Sequence, residues 1–174
     1  LHLYTELLPY VDQTWIGEGF PANNTADFWL VEMSGIPFGL LSETLDARNQ
    51  FRGLVYGMLP RLPWSGNPVP LWNLFDQFDM ENASIHGYWD EQCPVKTDNK
   101  DLPATVFVNG DKALVVIANW TDLPQTAKIQ IDEKALGFKP TKFTLPEVRN
   151  LQWGGKLSNL NNCEILGRSG MIVW

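Results

Sequence analysis

Residues 104–120 read ATVFVNGDKALVVIANW. Two β-branched, apolar runs stand on either side of Asn109-Gly110. A tight hairpin turn needs positive φ, which Asn and Gly tolerate best, so the stretch predicts two antiparallel strands. The rest of the chain to Trp174 supports that reading. TAKIQI at 126–131 alternates polar and apolar residues, Phe143–Val148 and the final MIVW are further strand candidates, and GRSG at 167–170 is a turn. An antiparallel β-sandwich over residues 104–174 is therefore expected.

The first part differs. Residues 1–92 are rich in Trp, Phe, Gly and Pro, and CPVKTDNKDLP at 93–103 is polar with two prolines, which suits a linker. Leu7–Trp15 predicts a buried strand ending near Asp12. Ala26–Leu45 predicts helix, broken at Ser34–Pro37. Gly53–Leu59 predicts a buried strand. PLWNLFDQF spaces Leu71, Leu74, Phe75 and Phe78 as one face of a helix, and Ala83–Trp89 reads as a strand. Strand and helix alternate, which predicts parallel βα units.

The charge excludes some partners. With 20 acidic against 13 Lys and Arg residues the net charge is −7. Neither nucleic acid nor an anionic membrane suits such a chain. No apolar run approaches membrane-spanning length, and LHLYTELLPY does not resemble a signal peptide. Neither cysteine, Cys93 or Cys163, has metal-ligand neighbours, and no phosphate or dinucleotide motif is present, so no metal or cofactor is expected. A Cys93–Cys163 disulfide would close a long loop; two buried free thiols are the alternative. Three sequons, at Asn23, Asn82 and Asn119, point to a secreted glycoprotein. A side chain at Asn119 that faced the core would make that sequon silent.

Four phrases carry a family likeness: YVDQTWIGEGF, DFWLVEMSGIPFGLL, RGLVYGMLPRL and ASIHGYWDEQCPVKT. They resemble the C-terminal portion of large secreted glycoside hydrolases related to glycoside hydrolase family 123. KALVVIANWTD and GRSGMIVW are similar to the small sandwich that follows the barrel in many glycosidases. The resemblance implies α/β followed by all-β: the last strands and helices of a (β/α)₈ barrel in residues 1–92, a linker at 93–103, and the sandwich at 104–174. It also implies that the remaining N-terminal barrel polypeptide is a partner, with carbohydrate as ligand.

Glycosidic cleavage needs two carboxyl groups, or one carboxylate with a substrate N-acetyl group as nucleophile. Asp12 and Glu18 flank Trp15 and are the first candidates. If each cuts turnover at least ~100-fold on neutralisation, acid–base work is the reason. The plainer reading makes Asp12 a turn cap and pairs Glu18 with a base such as Arg52. Trp15, Trp89 and Asp90 are candidate sugar contacts; the alternative for Asp90 is a loop carboxylate beside a buried Trp. Glu32 and Glu43 lie in apolar helical text, and Glu32, flanked by Val31 and Met33, is expected to be buried with a partner. Asp76 and Asp79 suit a solvated helix face. His86 is mid-strand and structural, and without a nucleophile elbow neither it nor His2 completes a triad. Trp15, Tyr56, Trp64 and Trp72 are expected in the core.

Three functions follow. The first is the C-terminal part of an extracellular glycoside-hydrolase-like protein acting on a polysaccharide or glycan, inactive as this chain alone. The second is a non-catalytic structural or carbohydrate-binding glycoprotein on the same scaffold. The third is a free-standing carbohydrate-binding module in residues 104–174.

Overall fold

The computed structural model of the protein describes residues 5–16, 23–44, 49–60 and 67–174. A 3₁₀ turn at Thr5–Tyr10 precedes strand β1, Gln13–Ile16. The expected strand thus starts where it was to end. Pro9 lies within the turn. It has no N–H for a ladder, which keeps residues 5–10 out of the strand.

Helix α1, Ala26–Glu32, is capped by Thr25, whose hydroxyl accepts the Phe28 N–H at 3.3 Å. The break at Ser34–Pro37 is present, with Gly35 in the left-handed region. Beyond it the chain becomes strand β2, Leu41–Thr44, where helix was expected. Helix α2, Gln50–Leu54, and a turn occupy most of the predicted Gly53–Leu59 strand; strand β3 is only Leu59–Pro60. Leu54, Val55, Tyr56 and Met58 are fully buried. Burial made the apolar run, and such a run does not distinguish helix from strand.

β1, β2 and β3 form one parallel sheet in that order, with Thr14 opposite Ser42 and Trp15 opposite Glu43. The parallel sheet does run strand–helix–strand–helix–strand, but not with the expected elements: its second strand lies within the expected Ala26–Leu45 helix and its second helix overlaps the expected Gly53–Leu59 strand. Helix α3, Val69–Phe78, follows and buries Leu71, Leu74, Phe75 and Phe78, the predicted face.

The remaining elements are antiparallel. Strands β4 (Ser84–His86), β5 (Val95–Thr97), β6 (Ala104–Asn109), β7 (Lys112–Ala118), β8 (Gln125–Ala127) and β9 (Ile129–Ile131) lead to a short helix α4, Glu133–Leu136. Strands β10 (Thr144–Leu145), β11 (Gly155–Lys156), β12 (Cys163–Ile165) and β13 (Gly170–Val173) complete the chain. The largest sheet has the order β13-β7-β6-β4; the pairs β5-β9, β8-β12 and β10-β11 stand apart from it. The β6–β7 hairpin is as expected, with Asn109 opposite Lys112 and Gly110 at φ 61° in the loop.

Two readings are corrected here. β4 was expected to end the parallel barrel, but it pairs antiparallel with β6 and so belongs to the later sheet. Residues 93–103 were expected to form a linker. They instead contain β5, with Cys93, Pro94, Val95, Leu102 and Pro103 buried. Polar residues there alternate with core residues, and strand pairing rather than solvent satisfies the backbone.

The four-stranded sheet is buried on both faces. Leu114, Val116 and Ala118 of β7, with Phe107 and Ile172, pack on one side against residues of α1, α2 and α3. Val115 and Ile117, with Val106 and Val173, pack on the other against β5, β8, β9 and β12. Strand pleating sends alternate residues to opposite faces, which explains the continuous apolar text of β7. The α/β part shares the core on one face of this sheet, and the other face has a core of its own.

Candidate functional site

The parallel strands place chemistry on two faces. The Thr14 and Ser42 hydroxyls hydrogen-bond across β1 and β2. Ser42 is buried, and Gly35 approaches its oxygen closely. The segment after α1 thus covers this face. Trp15 and Glu43, their neighbours along the strands, are directly opposite each other in register and project to the other face. Trp15 is 49% exposed and Glu43 is half-buried. An aromatic ring beside a carboxylate stands one residue from the carboxyl ends of β1 and β2, the end where parallel βα folds carry their chemistry.

This pairing differs from the one expected. Asp12 is exposed and precedes β1, at the amino end of the strand. The expectation that it sits on the catalytic rim is corrected, because the strand begins after it. Glu18 lies outside the described residues; in sequence it follows the carboxyl end of β1 by two positions. Glu43 was read as part of a helix. LSET has no apolar/polar alternation, so nothing in its period marked it as strand rather than helix. Glu32, expected to be buried, is exposed on α1.

Trp89 and Asp90 occupy a turn after β4. Trp89 stacks on Tyr56, ring centres 5.8 Å apart, and meets the Tyr88 ring edge-on at 5.3 Å. Gly87 is closed against the Trp89 ring, so any side chain there would collide with it. Asp90 caps its own turn by accepting the Gln92 N–H at 2.8 Å. Both residues thus have structural work in the fold. The Tyr56 hydroxyl donates to the Ala26 carbonyl at 2.5 Å, and the Tyr88 hydroxyl lies 3.3 Å from the Asp27 carboxylate. Burial first, and in Tyr56 the neighbouring Tyr88 next, push both phenols well above their ordinary value.

The seam continues at Trp120. Its indole N–H donates to the Asn24 carbonyl at 2.9 Å, and its ring meets Trp29 edge-on. Arg52 is buried, lies 5.1 Å over the Trp120 ring and donates to the Trp120 carbonyl at 2.9 Å. Asn49 donates to the Asn119 carbonyl at 3.1 Å. These contacts tie the parallel sheet's segment to the end of β7.

The other marked residues fall out as follows. Asn23 and Asn82 are exposed. Asn119 is fully buried and its amide donates to the carbonyls of Leu123, Ile165 and Leu166. The Asn119 sequon is therefore silent in the folded protein. Cys93 and Cys163 are buried free thiols, the second of the two readings left open by the sequence. Each has a local acceptor instead: Cys93 the His86 and Val95 carbonyls, Cys163 the Asn159 carbonyl. Burial raises both thiols above their ordinary range. His86 bonds the Ser84 hydroxyl at 3.1 Å. Asp76 is exposed, and Asp79 accepts from Asn82 and Asn109 at the end of α3. Tyr56 is in the core as expected, whereas Trp15 is not; Trp64 lies outside the described residues. Among the described residues no helix is long and apolar enough to cross a membrane, and no three His, Cys, Asp or Glu side chains gather as a metal site.

Parallel βα units run into an antiparallel β part, with an aromatic beside a carboxylate near the carboxyl ends of the parallel strands. The sequence matches the TIM-barrel domain of glycoside hydrolase 123 over residues 1–63 and the C-terminal domain of glycoside hydrolase 123 over residues 67–174. The chain belongs to glycoside hydrolase family 123. No curated protein and no solved structure matches it.

Proposed function

We propose that this chain is the closing portion of a barrel glycosidase that hydrolyses glycosidic bonds of an extracellular polysaccharide or glycan. The observation that carries the reading is the Trp15–Glu43 pair on adjacent parallel strands. In this reading Trp15 offers a flat apolar surface to a sugar ring. Glu43 supplies one carboxyl group, and Glu18, next in sequence after β1, supplies the second. One protonates the leaving oxygen, while the other attacks, activates water or orients a substrate N-acetyl group. A barrel site draws on several strand ends. The reading therefore requires further parallel strands beside β1 and β3, on the same polypeptide or on a separate one. Exposed Asn23 and Asn82 support secretion with glycans at those two positions.

The test uses the assembled protein and a panel of aryl glycosides. Glu43→Gln and Glu18→Gln should each lower kcat at least ~100-fold, the scale of acid–base catalysis. Trp15→Ala should act on KM, raising it about 10-fold, while Asp12→Asn leaves turnover within about 3-fold. Wild-type rates in both glutamine variants would overturn the catalytic reading.

A second reading is favoured by one observation. Asn23 is exposed on the connection from β1 to α1, and that connection leaves from the carboxyl end of β1. A glycan there would obstruct the strand ends and leave a non-catalytic, sugar-binding or structural glycoprotein. Full occupancy of Asn23 together with no hydrolysis of any substrate would select it.

A further inference from the structure

The β10–β11 hairpin closes in a tight loop. Val148 and Gln152 pair across it, and the Leu151 and Gln152 N–H groups donate to the Val148 carbonyl at 2.9 and 2.8 Å. Asn150 takes the left-handed conformation, φ 67°, that the reversal needs. The Gln152 side chain fastens the loop to β13. Its amide donates to the Pro146 and Ile172 carbonyls, both at 2.9 Å, and its oxygen accepts the Ile172 N–H at 2.7 Å. Val148 is buried in the core beneath. The loop is therefore held in one shape from within.

Trp153 follows directly and is 87% exposed, more than any other large apolar side chain among the described residues. Tryptophan is ordinarily well buried. Two glycines come next. Gly155 has open space where a side chain would begin, and a Cβ on Gly154 would lie 3.0 Å from that of Glu147. Glu147, Arg149, Asn150 and Trp153 are all exposed and line one cleft of about 450 Å³, the size of a small-ligand site.

We infer that Trp153 is the platform of an accessory binding site for a neutral, β-linked pyranose chain. Such a sugar has an apolar C–H face that stacks on an indole and a rim of hydroxyls. The Glu147 carboxylate accepts from those hydroxyls, while Arg149 donates to them and Asn150 does both. Glu147 and Arg149 balance in charge, which suits a neutral ligand. A protein partner fits less well, because the centre of such an interface is a cluster of apolar and aromatic side chains, whereas the exposed neighbours of Trp153 are polar. A fixed loop binds with little ordering cost. The cleft has a single acid, so its role is to hold a chain rather than cleave it. The site goes beyond the Trp15–Glu43 reading and does not depend on it.

The test is calorimetric titration of the full chain with cellohexaose and with the N-acetylglucosamine hexamer chitohexaose. At least one should bind at submillimolar concentration, with little dependence on salt. Trp153→Ala should weaken that binding at least 10-fold with an unchanged urea midpoint, and Trp153→Tyr should hold it within about 3-fold. Tyr10→Ala, which removes a comparably exposed ring elsewhere, should leave it unchanged. No binding of either hexamer at millimolar concentration would overturn the inference, as would equal binding of an inulin-type fructan, whose rings are furanoses. Binding that survives Trp153→Ala but is lost in Trp15→Ala would move the sugar to the other pair. Self-association that Trp153→Ala abolishes would make the ring a protein contact instead. Hydrolysis of aryl glycosides, measured separately, reports only on the catalytic reading.

Discussion

Replacing Asn119 by Ala should be among the most damaging single changes to this fold. The side chain is fully buried. Its amide reaches three carbonyls, of Leu123, Ile165 and Leu166, at 2.9 to 3.1 Å. Its oxygen accepts the Thr121 N–H at 2.9 Å and the Thr121 hydroxyl at 2.8 Å. Two amide hydrogens cannot fully satisfy three acceptors, so about four effective bonds are lost, each worth roughly 1 kcal/mol net. Thr121, Leu123 and Leu166 lie nearer solvent and can recover some of this from water. The bond to the Ile165 carbonyl is buried, and that group stays unsatisfied. A loss of about 3–4 kcal/mol results, a large share of a typical stability of about 5–15 kcal/mol. Urea unfolding followed by tryptophan fluorescence should show the midpoint fall by roughly 1–2 M. Asn119→Asp keeps the Thr121 bonds but points an anion at three carbonyls. Burial raises such a carboxyl, so the aspartate variant should be closest to wild type below its unfolded pKa, near 4, and lose stability as pH rises. A loss below about 1 kcal/mol for the alanine variant, or a glycan on Asn119 in folded protein, would refute this account.

The buried thiols give a second check. Native protein without reductant should take up almost no maleimide, and urea alone should expose two reactive groups per chain, Cys93 and Cys163; no uptake after unfolding would mean that they are bonded. The phenols set an alkaline limit. Tyr56 and Tyr88 titrate in the folded state well above 10.0, so the stability they hold is complete below that pH and is lost as pH climbs past it. Tyr56→Phe should lower stability at pH 7 through the lost bond to Ala26, yet flatten the decline above pH 10 in thermal melts; a decline as steep as in wild type would place its cause elsewhere.

The shared core bears on the module reading. Residues 104–174 alone would expose Phe107, Leu114, Val116 and Ile172, which pack against residues of the helices of the first part. A free-standing module would carry that apolar face unprotected.

Local chemistry was legible in the text. Asn109-Gly110 declared its hairpin because few residues accept positive φ. The spacing of Leu71, Leu74, Phe75 and Phe78 declared α3 because a helix repeats every 3.6 residues. An alternation of strand and helix recurs in β1 to β3, but on other residues than those read for it, because an apolar run does not tell helix from strand. What lay beyond sequence were properties of partners distant along the chain. β4 looks like any short strand; pairing with β6 makes it antiparallel and moves it out of the barrel part. Residues 93–103 look like a linker until β9 supplies β5 with a neighbour. Asn119 reads as a sequon, and only the approach of residues 165 and 166 turns its amide inward. Asp12 and Glu18 drew attention by being close in sequence. Trp15 and Glu43 are 28 residues apart, and the parallel register alone sets them side by side.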